Sequence, residues 1–202
     1  MGIPPILLLK LTTLFFLTLL KTIAQACMLL KTVAAMEQID QNYSYDFFVR
    51  TNIGTFWDFN ALLLHLHELP NTLCYSGHGP HENSYLSGTD TIVNRHMIQD
   101  IVVHRSELDY VTAEDKAMGL FFHGRLGAPF LPSRIFFLEH IESYNVTFIR
   151  AEISKGVAEQ SDHFRVKNMA NRHILDIACY VELCDLIYNL SCHEIEFERN
   201  YD

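Results

Sequence analysis

The sequence predicts an α+β fold, with N-terminal helices packed on a curved, mainly antiparallel sheet. Two helix-like segments occur before residue 70, and short runs rich in aromatic and β-branched residues follow from residue 92. No stretch is rich enough in Pro, Gly or Ser to act as a linker between domains. The 202 residues therefore predict a signal peptide at residues 1–26 and a single α+β domain at residues 27–202.

The N-terminal segment predicts secretion. Residues 11–20 are uncharged and nearly all apolar, with Lys10 before them, Lys21 after them and a small-x-small pattern at residues 24–26. These are the parts of a secretory signal cleaved after residue 26. The alternative is an uncleaved membrane anchor over residues 3–30, which would carry both lysines into the bilayer at a cost of a few kcal/mol each.

Two helices are predicted in the first third of the remaining chain. Residues 28–50 contain no Gly or Pro and repeat apolar side chains near helical spacing. The second helix has Thr55 as its predicted N-cap, with Asp58 three residues later as in a capping box. It covers residues 56–69 and ends before Pro70.

Residues 75–91 predict a long loop, because they are dense in Gly, Ser, Asn, Pro and Asp. Loops of this length are usually functional or mobile. This loop is therefore the first place to look for a site.

The remaining chain is predicted to be mostly strands. The predicted strands cover residues 97–105, 117–123, 134–141, 144–153 and 164–167. In residues 174–190, apolar pairs recur every three residues, which favours a helix over a buried strand. Residues 194–198 alternate Glu with apolar side chains, as an edge strand does.

Composition excludes several classes of protein. The chain is 49% hydrophobic and 19% charged, which excludes a disordered chain. Its 15 basic and 24 acidic side chains give a formal charge of −9, so we predict no nucleic-acid partner. We also predict no stable membrane insertion once the signal is removed.

Two sequence features agree with an oxidising, secretory compartment. Asn42, Asn145 and Asn189 each begin an Asn-x-Ser/Thr triplet without Pro and are predicted glycosylation sites. Four of the five cysteines are predicted to form disulfides, in any of three connectivities. These disulfide candidates are Cys74, Cys179, Cys184 and Cys192.

The best metal-site candidate is Cys74, His78 and His81, at the start of the long loop. Thiolate and imidazole suit zinc, but the motif supplies only three ligands of the four in a structural site. The predicted second helix holds His65 and His67 about 200° apart, so these two cannot bind one ion. We expect His65 on the polar side of that helix.

Sequence motifs for catalysis and cofactors are absent. The chain has no G-x-S-x-G, phosphate-binding loop or dinucleotide motif, so we predict no cofactor and assign no catalytic residue. The leading hypothesis is a secreted, glycosylated binding or interaction domain for an unknown protein or small apolar ligand. The alternative is a secreted hydrolase with a site near the 75–91 loop. A third class, a membrane-anchored interaction protein, requires an uncleaved signal.

The signal peptide gives the first test. Secreted protein from a eukaryotic host is expected to begin near Cys27, because signal peptidase cuts after the small-x-small pattern. N-terminal sequencing of the culture medium measures this directly. Full-length chain that begins at Met1 and remains in the membrane fraction would support the anchor instead.

Overall fold

A computed structural model of the chain describes residues 27–168 and 172–190. The predicted signal peptide and the predicted edge strand at 194–198 lie outside these residues. The described chain mixes helices with two small sheets, which confirms the α+β class in outline. It divides into two compact units. The first unit contains residues 27–50 and 70–132, and the second contains the other described residues.

The described chain alternates helices with short strands. They are α1 (27–42), β1 (Phe47–Thr51), β2 (Thr55–Trp57), α2 (Phe59–Glu68), β3 (Tyr75–Gly77), β4 (Asp90–Asn94), α3 (Arg95–Val103), α4 (Glu114–Gly119), a π-helical segment (Leu120–Arg125), β5 (Phe130–Pro132), β6 (Ile135–Leu138), α5 (Val146–Ala158), β7 (His163–Val166) and α6 (Arg172–Tyr188).

The first unit contains a sheet of strand order β1-β4-β3-β5. β3 is antiparallel to β4 and parallel to β5, which places Tyr75 beside Val93 on one side and Phe130 on the other. Every residue of β4 is buried. Apolar side chains three and four residues apart on α1 and α3 belong to one buried cluster with Tyr75 and Phe122, so both helices contribute one face to this core.

The second unit contains a sheet of order β2-β7-β6. β7 pairs antiparallel with β2 and parallel with β6. Its core joins Phe164 and Val166 of β7 to Ile149 and Ile153 of α5 and to one face of α6. Arg150 of α5 pairs with two carboxylates of α6 and so links the two helices at their surface.

Several predicted elements are confirmed and three are wrong. The strand predicted at 134–141 contains β6, the one predicted at 164–167 overlaps β7, and the helix predicted at 174–190 overlaps α6. The strands predicted at 97–105, 117–123 and 144–153 are instead helical. Their β-branched residues favour strands locally, but their buried side chains recur at helical spacing, so core packing decides the conformation.

Two further expectations change in detail. The predicted helix at 28–50 ends at residue 42 and is followed by β1. Asp58, rather than Thr55, caps α2, and its side chain accepts hydrogen bonds from the backbone N–H groups of Asn60 and Ala61 at 2.9 and 3.1 Å. Thr55 lies in β2, where it pairs with β7.

The sheets also differ from the predicted one. Instead of one mainly antiparallel sheet there are two small sheets, each combining parallel and antiparallel pairs. The curvature of the sheet and the packing of the N-terminal helices across it stay predictions. Over residues 27–168 and 172–190, every helix is too short or too polar to cross a bilayer.

Gly119, at the end of α4, is expected to tolerate no side chain. A Cβ atom there would lie 2.5 Å from the carbonyl oxygen of Ser84 and 2.6 Å from Cα of Tyr85, and backbone atoms cannot rotate away. We expect Gly119→Ala to lower the free energy of unfolding by about 1–3 kcal/mol, measured by urea denaturation.

Gly124→Ala is the matched control for this substitution. A Cβ at Gly124 meets nothing within 4 Å, and the residue lies in the π-helical segment that follows α4. Its replacement is expected to leave stability unchanged or to raise it by up to about 1 kcal/mol. An equal decrease in the free energy of unfolding in the two variants would contradict the crowding at Gly119.

Candidate functional site

The loop between β3 and β4 is held in place by its own hydrogen bonds. The backbone N–H of Ser87 donates to the carbonyl of His78 at 2.7 Å, and that of His81 donates to Tyr85 at 2.7 Å. The N–H of His78 also donates to Oδ1 of the fully buried Asp90 at 3.3 Å. The loop is therefore an ordered part of the first unit.

The predicted metal ligands are only partly brought together. The rings of His78 and His81 are neighbours, with centroids 5.6 Å apart. Cys74 is fully buried, and burial raises the pKa of its thiol to about 12. A metal-binding cysteine has to be a thiolate, which this environment opposes. In the part of the chain that the structure describes, no three His, Cys, Asp or Glu side chains are grouped to hold one ion.

Ser76 of β3 is also fully buried. Its Oγ donates a hydrogen bond to the carbonyl oxygen of Pro132 at 3.4 Å. A serine nucleophile needs its proton directed to a base, and a peptide carbonyl is too weak a base for this purpose. Neither Cys74 nor Ser76 is therefore held in the environment of an activated nucleophile.

A buried ion pair secures one side of this loop. Nη1 of Arg50, at the end of β1, donates to the carbonyl of Gly88 at 2.8 Å, and Nη2 pairs with the buried Glu114. The hydroxyl of Thr32 on α1 donates to the same carboxylate. The four residues join α1, β1, α4 and the loop, which assigns the pair a structural role.

A second group of buried polar side chains lies in the second unit. Asp162 and His163 are fully buried, and His65 of α2 is 5% exposed. Nδ1 of His163 shares a hydrogen bond with Oδ1 of Asp162, and the indole ring of Trp57 stacks on the His163 ring with centroids 4.4 Å apart. We refer to these residues as the His65–Asp162–His163 cluster.

His65 makes no hydrogen bond within this cluster. Its Nε2 lies 3.8 Å from Oδ2 of Asp162, which is beyond hydrogen-bonding distance. Among the described residues, neither ring nitrogen of His65 has a hydrogen-bond partner. Oδ2 of Asp162 also has no hydrogen-bond partner there. A buried polar group without a hydrogen-bond partner lowers the stability of the folded state. The burial of His65 therefore destabilises the second unit relative to a fully hydrogen-bonded side chain at this position.

The electrostatic surroundings of His65 favour its neutral form. Burial lowers the pKa of its imidazole, and the carboxylate of Asp162 opposes that shift. Arg134 and His163 lower the pKa further, while Glu68 raises it. The net pKa is below the ordinary value, so His65 is neutral at pH 7.

Sequence reasoning placed His65 wrongly. It was expected on the polar side of its helix, whereas it is buried together with Leu62, three residues earlier on the same face. His67 is exposed, so the expectation that the two histidines point apart is confirmed. The signal that was missed is the i, i+3 spacing of His65 with Leu62.

The opposite side of α2 is apolar and exposed. Phe59, Leu63 and Leu64 are 61%, 58% and 65% exposed. We call these three residues the apolar face of α2. Leu62 and His65 are the residues that the helix buries, and Ala61 and Leu66 are half-buried.

All three predicted glycosylation sites have an exposed asparagine. Nδ2 of Asn42 donates to a carbonyl one turn back in α1 at 2.7 Å. Asn145 caps α5, and its Oδ1 accepts a hydrogen bond from the N–H of Phe148 at 3.1 Å. Asn189 follows α6, and the Ser191 of its triplet lies outside the described residues.

No disulfide bond links any two of the cysteines at positions 27, 74, 179 and 184, and Cys192 lies outside the described residues. The disulfides predicted among Cys74, Cys179 and Cys184 are therefore not present. Cys74 is fully buried in the first unit, and Cys179 is fully buried in the apolar core of the second. Burial raises the pKa of the Cys179 thiol to about 11.

Comparisons with known proteins give no family assignment: neither the protein-family models nor the curated sequences include a match to this chain.

The cysteines provide a test of this arrangement. In the native protein at pH 8, iodoacetamide is expected to modify the exposed Cys27 and to leave Cys74 and Cys179 unmodified. A thiol of pKa about 12 is only about one part in ten thousand thiolate at that pH, and it is also inaccessible. Peptide mass spectrometry measures each position.

Denaturation without reductant is the control for this labelling. It is expected to expose Cys74 and Cys179 to the reagent. If either cysteine reacts only after reduction, it belongs to a disulfide, and the description of both as buried thiols is wrong.

Proposed function

We propose that this chain is a secreted, glycosylated binding domain that contacts a partner protein through the apolar face of α2 and performs no catalysis. The observation that carries the proposal is the exposure of Phe59, Leu63 and Leu64 on one short helix. Exposed apolar clusters of this kind mark interaction sites in soluble proteins.

The geometry of the helix favours a protein over a small apolar ligand. Phe59 and Leu63 are four residues apart and stand one above the other, and Leu64 widens the face to about 140° around the helix. A helix face is convex, whereas small-molecule sites are concave and enclose their ligand. The complementary surface is therefore an apolar groove on another protein, as in helix-in-groove recognition.

Charge further restricts the class of partner. The chain has a formal charge of −9, so nucleic acids and anionic membranes are repelled at long range. Asp58 caps the start of α2, and Glu68 ends it beside Arg134. A groove with a neutral or basic rim is the complementary partner surface.

Secretion and glycosylation are supported by sequence and by surface position. The segment before residue 27 has the pattern of a signal peptide. The exposed positions of Asn42, Asn145 and Asn189 leave room for a glycan at each site. None of the three lies on α2, so glycans on these residues are compatible with a contact there.

The alternative, a hydrolase with a site near the 75–91 loop, has less support. It would use Cys74 or Ser76 as a nucleophile, and the first is held protonated while the second donates to a carbonyl oxygen. No observation on the described residues favours it over binding.

Substitution of the apolar face tests the proposal. The glycosylated protein is produced by secretion from a eukaryotic host. It is then used as bait to capture a partner from the extracellular fluid of the organism that makes it. A partner is expected to bind the parent and to lose affinity by about tenfold or more for the double variant Leu63→Gln/Leu64→Gln, because buried apolar anchors dominate such interfaces. Biolayer interferometry with the purified partner measures the loss.

Ile53→Gln is the matched control, since Ile53 is apolar, 97% exposed and outside α2. It is expected to bind as the parent does. Equal affinity for all three proteins would overturn the assignment of α2. Treatment with peptide N-glycosidase should also increase the mobility of the secreted protein, and unchanged mobility would contradict glycosylation.

A further inference from the structure

Helix α2 is attached to its unit by few interactions. Apart from Leu62, the side chain that it buries is His65. The ring of Phe59 also stacks on that of Tyr188, with centroids 6.4 Å apart. Two hydrogen bonds add to these contacts: the Asp58 N–H donates to the carbonyl of Asp162 at 2.9 Å, and the Phe59 N–H donates to the Tyr188 hydroxyl at 2.9 Å. A pair between Glu68 and Arg134 is largely exposed and contributes little.

His65 is one of the two side chains that α2 buries, so a charge on its imidazole would act directly on the attachment of the helix. His65 is neutral at pH 7 and has no hydrogen bond from either ring nitrogen. We propose that α2 is a pH-responsive element: protonation of His65 at mildly acidic pH releases the helix, and with it the partner-binding face, from the second unit.

The groups around His65 decide the direction of the response. Asp162 lies next to β7 and attracts a protonated imidazole, but at 3.8 Å it forms no hydrogen bond to it. His163 of β7 and Arg134, which precedes β6, oppose the added charge, and Glu68 on α2 itself favours it. Burial is the largest influence, and together these groups disfavour the protonated form in the folded state.

The dependence of stability on pH follows from this direction. The unfolded or released helix binds a proton at His65 with a pKa of about 6.5, and the attached helix binds it less readily. The stability contributed by neutral His65 is therefore fully present above pH 6.5 and is lost as the pH falls below that value. This is a two-state element biased by one buried charge, which a pH switch requires.

Hydrogen–deuterium exchange of the full chain without a partner tests the inference. Exchange of amides in 59–68, corrected for the intrinsic effect of pH, is expected to accelerate by up to about tenfold between pH 7.5 and 5.5. One unit below a pKa of about 6.5, a released histidine is about nine-tenths charged. Amides of α5, in the same unit, are expected to change less than twofold, since the opening is local.

Two variants on the same helix separate His65 from other titrating groups. His65→Gln keeps a polar side chain that stays neutral and is expected to remove the acceleration. His67→Gln changes an exposed histidine two residues away and is expected to behave as the parent does. Acceleration that persists in His65→Gln would assign the response to another group and overturn the inference.

If His65→Gln fails to fold, the exchange of the parent protein alone still tests the inference. If its α2 amides show no acceleration, or if α2 and α5 accelerate equally, no local switch exists. The inference rests on the proposed function only where it assigns α2 the partner-binding face. Because exchange is measured without a partner, a failed switch and a failed binding assignment give separate results.

Discussion

One buried carboxylate, Asp162, constrains most of the second unit. Its backbone N–H donates to the carbonyl of Arg134 at 2.9 Å, and its own carbonyl accepts from Asp58, the N-cap of α2. Its side chain accepts a hydrogen bond from the imidazole of His163 at the start of β7. Three chain segments therefore meet at one fully buried residue, and its hydrogen bonds hold them together.

The two units differ in the partners that they provide for a buried carboxylate. In the first unit, Glu114 pairs with the guanidinium of Arg50 and also accepts from Thr32, so charge and hydrogen bonding are both satisfied. In the second unit, one oxygen of Asp162 is hydrogen-bonded to His163, and the other faces His65 without a hydrogen bond. In the first arrangement the cation is permanent, because an arginine does not lose its proton in proteins. The second includes the imidazole of His65, whose pKa is lowered by burial and which is neutral at pH 7.

The sequence was sufficient to predict the conformation of a segment where its local pattern and the tertiary packing favour the same conformation. The apolar pairs of α6 and the aromatic runs of β6 and β7 predict the conformations that these segments adopt. Helices α3 and α5 were predicted as strands because runs such as Ile101 to Val103 and Val146 to Ile149 are β-branched or aromatic. Their helical conformation follows from the core that they join, which propensity does not describe. The His65–Asp162–His163 cluster was missed for a related reason, since it joins residues distant along the chain. Nor does the apolar run at Leu62, Leu63 and Leu64 indicate which of the three is buried.

The position of Trp57 has a practical consequence for studying the two units. It is the chain's single tryptophan, and it belongs to the second unit, stacked on His163 and adjacent to Asp58. Tryptophan-selective fluorescence therefore reports the unfolding of the second unit alone, while far-ultraviolet circular dichroism reports the helices of both. Coincident denaturation curves would mean that the chain unfolds as one cooperative structure. Separated curves would give each unit its own transition, with an optical signal that needs no added label.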